Sequence, residues 1–336
     1  MVTLRYRGTR LLNSRARLEA IRRIATLTFA VVLVMITLPG AGTAAVGLTS
    51  LRVSTGLTDD ATVLFYAMQS GMFKKAGLDV QFTVGQSGAA VASAVIAGSI
   101  DIGKSSLLNL MNAHVHGIPI QLVAAGAIFD ARVAPFGQLL VAADSGITSG
   151  KDLTGKIIGV PYLQDFNVLV VRMWMDQNGG DSKTLKFVEL PDSALTAALL
   201  AHRIDGCVLQ EPNLSAAMQT HQVKAFAVTP SDPAFLFSAW FANADWIAAH
   251  VQTVATFVRV MSASAAYTNA HPEATVKMMA DATGVPLEAL QKTPRLHSAT
   301  SLSTSPLQSY IDVAARYGLI PQPFPAQAMM YFPAPH

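Results

Sequence analysis

One short segment of this chain occurs twice. Ala97-Gly98-Ser99-Ile100-Asp101-Ile102 and Ala201-His202-Arg203-Ile204-Asp205-Gly206 each stand where a helical stretch runs into a short apolar strand, and their aspartates are 104 residues apart. The helix–turn–strand units that end near Val84 and Leu190 share a similar offset. A repeat of this length is too long for a solenoid and fits two domains of similar plan. Asp101 and Asp205 are read first as turn formers, since Asp favours such turns.

The order of elements supports the duplication. Strands are expected at 48–54, 78–84, 100–103 and 120–125, with helices at 58–69, 87–97 and 106–116 between them. The second half repeats the order, with strands at 156–160, 185–190 and 204–209 and helices at 166–178 and 193–201. Alternation with short connections predicts an α/β fold with largely parallel sheets covered by helices. Segments 138–142 and 238–242 read as strands crossing between the lobes, a two-strand hinge. The expected division is 46–137 plus 243–336 for lobe 1 and 138–242 for lobe 2 with the hinge strands. Helices are expected at 245–270, 271–283, 287–292 and 306–317, packing back on lobe 1, and an extended proline-rich tail from Pro321.

Residues 1–45 have the pattern of an export signal. Arg22-Arg23 closes a basic region, 24–38 is apolar, Pro39-Gly40 breaks the run, and small residues follow. The apolar run is shorter than the ~20 residues a spanning helix needs. A secreted, periplasmic protein is therefore expected. The formal net charge of +3 comes from this region. Setting aside its seven arginines and Glu19 leaves 17 basic against 20 acidic residues, with no basic stripe for nucleic acid. Cys207, the single cysteine, allows no internal disulfide and reads as a buried inert thiol in an apolar strand. No H-E-x-x-H, phosphate loop or G-x-S-x-G is present, and His114 and His116 are spaced onto different helix faces. No catalytic residue, metal or cofactor is expected.

Four runs in order carry a family resemblance. They are Gly71-Met72-Phe73-Lys74-Lys75-Ala76-Gly77-Leu78-Asp79-Val80, then Ala97-Gly98-Ser99-Ile100-Asp101-Ile102-Gly103. The most specific is Ile147-Thr148-Ser149-Gly150-Lys151-Asp152-Leu153-Thr154-Gly155-Lys156-Ile157-Ile158-Gly159-Val160, followed by Ile204-Asp205 with Glu211-Pro212. From 48 onward the chain resembles the periplasmic solute-binding proteins for nitrate, sulfonates, taurine and thiamin-pyrimidine precursors. The resemblance implies a type II periplasmic-binding fold with ligand between the lobes. It also implies delivery to an ABC permease and its ATPase by a monomer. The same fold family includes a pyrimidine-synthesising enzyme that consumes its own histidine and carries a cysteine-rich motif, which this chain lacks. A module feeding a membrane sensor is a further alternative.

Ligands of open α/β sheets gather at the carboxyl ends of strands, where helix starts offer free N–H groups. That rule selects Thr58 and Asp59, then Gln86, Ser87 and Gly88, then Lys104, Ser105 and Ser106. In the second half it selects Tyr162, Gln164 and Phe166, with Asn167 beside them, and Glu211. Tyr162 and Phe166 would sandwich a planar ligand, Lys104 would face an anion, and Trp240 would line the cleft. For the serines the competing role is helix capping, for the aromatic residues core packing, and for Lys104 a solvated or salt-bridged position. A sulfonate, carboxylate, nitrate or heteroaromatic ligand fits this set.

Overall fold

The alternation of strand and helix builds two separate five-stranded sheets. The structure is a computed structural model and describes residues 47–130, 138–161, 163, 166–209, 213–227, 234–284, 286–292 and 295–332. The expected export signal at 1–45 lies outside the described residues.

In the first sheet β1 (Thr49–Thr55) runs parallel to β2 (Leu78–Val84) on one side and to β3 (Ile102–Ser106) on the other. Helices α1 (Thr62–Gln69), α2 (Met72–Lys75) and α3 (Gly88–Ile96) fill the crossovers, and α4 (Leu107–Val115) leads to β4 (Ile120–Ala125). After β5 (Ala127–Asp130) the chain enters the second sheet at β6 (Gln138–Ala142). There β7 (Ile157–Val160) is flanked in parallel by β8 (Lys186–Glu189) and β9 (Gly206–Leu209). Its helices are α5 (Phe166–Gln177), α6 (Asp192–Leu200) and α7 (Asn213–Met218), before β10 (Val223–Ala227). The chain returns through β11 (Ala234–Leu236) and β12 (Ser238–Asn243).

The two sheets have matching orders, β2-β1-β3-β12-β4 and β8-β7-β9-β6-β10. In each, the fourth strand is antiparallel and arrives from the other half of the chain. Residues 138–142 and 238–242 form strands, as expected where the chain crosses; the first lies in the second sheet, and the second, grouped above with lobe 2, pairs within the first sheet. A separate small sheet, β11-β5-β13, joins the chain leaving the first sheet to the chain coming back, with β13 (His297–Ser298) on its other side. These strands are too short to produce a readable alternation.

The expected helix at 245–270 is broken at His250, whose backbone (φ −131°, ψ 35°) leaves the helical region while its Nδ1 lies 2.8 Å from the Trp246 carbonyl. The pieces are α8 (Ala244–Ala249) and α9 (Val251–Ala270), followed by α10 (Pro272–Thr283), α11 (Leu287–Lys292) and α12 (Thr304–Arg316). α9 packs on the first sheet as expected. Phe257 sits between Phe73 and Trp240, with ring centroids at 5.8 and 5.6 Å, and Ser264 Oγ donates to the Val63 carbonyl at 2.7 Å. α12 does more than expected. Its Tyr310 meets Phe166 of α5 edge-on, and the Tyr317 carbonyl after it accepts from Arg172 Nη1 at 2.6 Å. The C-terminal helix thus bridges both sheets' helices. The tail from Pro321 is not simply extended: it makes a tight turn at Ala326–Met329, and Tyr331 N–H donates to the Leu122 carbonyl.

Cys207 is fully buried in β9, and burial pushes its thiol up to about 12, so the thiolate is absent near neutrality.

Candidate functional site

The carboxyl ends of β1, β2 and β3 form one edge of the first sheet. Ser87 begins α3 in extended conformation, and its Oγ accepts from Ala90 N–H at 3.1 Å. Ser106 does the same for α4, accepting from Asn109 N–H at 3.4 Å. Both are therefore helix caps, and both place a helix start at this edge. Gly88 lies against the second of them. A Cβ there would fall 2.1 Å from Ser105 Oγ and 2.7 Å from Asn109 Nδ2, so a side chain at this position would displace both groups. Ser87, Gly88, Ser105, Ser106 and Asn109 consequently form one polar patch. Gln86 is exposed beside it. Asn109 was not singled out in the sequence, although its place three residues after the cap Ser106 is a readable signal.

Thr58 is exposed at the end of β1, and its Oγ1 donates to Asp60 Oδ1 at 2.5 Å. Asp60 is buried and ion-paired with Lys104, which is itself only 5% exposed. The Lys104 charge, hydrogen bonds from Lys104 and Thr58 and one from Ser238 outweigh desolvation and hold the Asp60 carboxyl below its ordinary range. This corrects the expectation for Lys104. Alternation along β3 turns its side chain to the α1 and α9 face, where Asp60 neutralises it. Asp59 is also engaged elsewhere: it accepts from Arg295 Nε at 2.6 Å and Leu296 N–H at 2.7 Å, tying down the chain before β13.

Tyr162, Gln164 and Glu211, expected at the edge of the second sheet, lie outside the described residues. Two expected ligand-lining rings are core residues instead. Phe166 is 2% exposed and packs edge-on against Phe237 and Tyr310. Trp240 is 1% exposed, because the alternation of β12 turns it onto α9. Asn167 is buried in α5. In their place stand Glu189 and Asp192, which the sequence did not single out. With Pro161, Leu190 and Pro191 they line a recess of about 360 Å³ at the ends of β7 and β8. Glu189 Oε2 accepts from Leu163 N–H at 3.3 Å. Partial burial raises the Asp192 carboxyl above its usual range.

The two edges converge on one residue. Phe237 packs against Phe166 at the start of α5, and its carbonyl accepts from Leu107 N–H at the start of α4 at 2.9 Å. The helix starts that follow β7 and β3 therefore adjoin across the crossover.

A family model described as NMT1/THI5 like matches residues 58–275. The chain belongs to the NMT1/THI5-like family. Solved structures share its fold. The periplasmic aliphatic sulphonate binding protein SsuA of Escherichia coli matches with a TM-score of 0.69 and 17% identity, over 85% of this chain and 92% of that one. SsuA of Xanthomonas axonopodis pv. citri, bound to MOPS, gives 0.66 and 16%, over 85% and 99%. The periplasmic nitrate-binding protein NrtA of Synechocystis PCC 6803 gives 0.61 and 13%, over 84% of each chain. These matches establish the two-lobed periplasmic-binding fold for this NMT1/THI5-like chain. A curated relative, 4-amino-5-hydroxymethyl-2-methylpyrimidine phosphate synthase of Uromyces fabae, is 24% identical over 215 residues, 60% of this chain. The chain spans 61% of the length of that relative.

Among the described residues no helix is long and apolar enough to cross a membrane, and no group of His, Cys, Asp or Glu is placed to hold a metal.

Proposed function

We propose that this NMT1/THI5-like chain is an exported, monomeric solute-binding protein that captures a small polar ligand between its lobes and delivers it to an ABC permease and its ATPase. The observation that carries the reading is the convergence of the two strand-end edges on Phe237, with capped helix starts and the Gly88–Ser105–Asn109 patch on one side. Ligand bridging both edges favours the closed form, and the closed form is what a permease distinguishes.

The charges at the edges bear on ligand class. Among the described residues there, the basic side chain is Lys104, and Asp60 neutralises it. The facing edge carries Glu189 and Asp192. A sulfonate, carboxylate or nitrate would rest on N–H groups and hydroxyls against two carboxylates. A heteroaromatic ligand bearing an amino group would instead give its donors to those carboxylates. The second class is favoured.

The pyrimidine synthase among the relatives raises an enzymatic reading. Six of the eight histidines favour binding: His116, His250 and His271 sit at helix ends bonded to backbone carbonyls, His202 and His221 occupy left-handed turns, and the His114 ring packs tilted against Phe324.

A thermal-shift series on the full chain tests both points. Aminopyrimidines are expected to raise the midpoint more than alkanesulfonates or nitrate, by linkage to the native state. Mass spectrometry after prolonged incubation is expected to return the ligand unchanged. Turnover would remove the binding-protein reading, and a stronger response to sulfonates would reverse the ligand class. Scattering profiles identical with and without saturating ligand would rule out closure.

A further inference from the structure

Thr58 stands exposed at the end of β1, and its hydroxyl is polarised in one direction. A hydroxyl has one proton to give and two lone pairs with which to accept. The Thr58 proton goes to Asp60 Oδ1 at 2.5 Å, the length of a charge-assisted O–H···O⁻ bond. Asp60 fixes that direction. Its carboxylate is buried, ion-paired with Lys104 and hydrogen-bonded by Ser238, which together keep it ionised, and an ionised carboxylate only accepts. Ser238 is oriented in turn. Its Oγ accepts from Ala127 N–H at 3.1 Å, and its proton serves Asp60. Withdrawing the Thr58 proton would leave a buried carboxylate short of a donor, which costs more than one ordinary hydrogen bond returns. Thr58 therefore offers a ligand lone pairs alone.

Other hydroxyls of the same edge have the opposite polarity. Ser87 Oγ and Ser106 Oγ accept from helix N–H groups at 3.1 and 3.4 Å, so each keeps its proton to give. Gly56 leaves the Thr58 oxygen approachable: a Cβ there would stand 4.0 Å from Oγ1, with nothing nearer than 3.9 Å. The edge thus presents an acceptor at Thr58 and donors at Ser87 and Ser106. A sulfonate, a nitrate or an ionised carboxylate carries acceptors only, and at Thr58 it would set lone pairs against lone pairs. A ligand with an N–H or O–H beside an acceptor atom meets both polarities.

We propose that Thr58 is a specificity-determining residue of the cleft, an acceptor fixed by the Asp60–Lys104 pair that selects ligands bearing an N–H or O–H donor. The inference rests on the solute-binding reading. It reaches the ligand's donor from the lobe opposite Glu189 and Asp192 and from a separate set of contacts.

Neutron diffraction from crystals of the full chain exchanged into D2O locates the Thr58 deuteron, expected on the line to Asp60 Oδ1. A deuteron turned into the cleft would overturn the proposal without any ligand. Calorimetry on the full chain then compares two matched pairs, 4-amino-2-methylpyrimidine with 2,4-dimethylpyrimidine and methanesulfonamide with methanesulfonate. The amino member of each pair is expected to bind more tightly. In Thr58→Val its affinity should fall about fivefold, the loss of one neutral hydrogen bond, while the donor-free member holds or gains. Thr58→Ser should retain the wild-type preference. An equal loss for both members, no loss for either, or tighter wild-type binding of the donor-free members would overturn the proposal and leave the solute-binding reading intact. If the valine variant does not fold, Asp60→Asn with Lys104→Met replaces it. The asparagine amide can donate to Thr58 and free its proton, so the preference should move toward methanesulfonate, and an unchanged preference overturns the proposal. A wild type that binds neither pair removes the ligand class proposed for the cleft, and this selectivity with it.

Discussion

In the first lobe Asp101 accepts from the backbone N–H of Arg52 at 2.7 Å and from its guanidinium at 3.1 and 2.5 Å. In the second lobe Asp205 accepts from Ile157 N–H at 2.8 Å and Lys156 Nζ at 3.0 Å. Each aspartate also donates its own N–H to the neighbouring central strand, at the carbonyls of Arg52 and Ile157. The two copies of the repeat are therefore the same device: a turn aspartate that fixes where the central strand starts beside the strand it leads into. They differ in depth. Asp101 is 7% exposed, whereas the Asp205 side chain is 32% exposed. The comparison separates what the fold requires from what each lobe adds. The backbone-directed bonds recur, while the charged partner changes from arginine to lysine.

The lobes diverge further at the edge where ligand is expected. Lys104, two residues into β3 and neutralised by Asp60, corresponds through the repeat to Val208 of β9, an apolar core residue. The largest expected effect breaks this contrast. Asp60→Ala should destabilise the chain by about 3–5 kcal/mol, because it strands the Lys104 charge in the core. Val208→Ala should cost only about 1–3 kcal/mol, a loss of apolar burial. Replacing both charges, as Asp60→Leu with Lys104→Met, should recover most of the loss. Chemical denaturation of the set checks all three, and a double variant no better than Asp60→Ala would show that the pair does more than neutralise itself.

The two aspartate clamps come next. Asp101→Ala is expected to cost about 2–3 kcal/mol, since the partly buried Arg52 N–H loses a charged acceptor that is itself buried, and Asp205→Ala about 1 kcal/mol. Equal losses in urea titrations would mean that exposure does not grade the two clamps. The turns before them sharpen the same comparison. Gly98 has φ +71° and His202 φ +52°, so one copy uses glycine in the left-handed region and the other strains a histidine into it. Gly98→Ala should destabilise by about 1 kcal/mol and His202→Gly should stabilise by up to about 1 kcal/mol, both read as midpoint shifts.

The smallest effect concerns Asp152. Its carboxylate accepts from the Thr148 and Ser149 N–H groups at 2.9 Å each and from both hydroxyls, which lowers it to about 2 from 3.8. The folded state thus favours the ionised form. Its contribution is complete above the ordinary carboxylate range and is lost as pH falls from about 4 to about 2. In Asp152→Asn that part of the acid limb of a stability–pH profile should flatten, and an unchanged limb would assign it to other carboxylates.

Asp152 also shows how much of the molecule was legible. The run 147–160 is the most specific family signature in the chain, and its polar residues form a capping box that sets up β7. Strands 78–84, 120–125 and 138–142 were readable to the residue because each is a short apolar or alternating run bounded by turn residues. Thr58, Gln86, Ser87, Gly88, Ser105 and Ser106 were correctly placed at strand ends, since strand-end position follows from chain order alone. Glu189 and Asp192 carry no comparable signal in the sequence, because acidic residues at or near a helix start are ordinarily solvated.

The sequence by itself determined the α/β alternation, the duplicated lobe plan and the turn aspartates, because these depend on residue spacing and on conformational preferences that act within a few residues. Only the tertiary structure decided that strand 238–243 completes the first half's sheet. It alone decided that Phe166 and Trp240 are core and that Lys104 is spent on Asp60. Each of those outcomes depends on which face a side chain meets and on a partner distant in the chain, and a one-residue change in strand phase would reverse it.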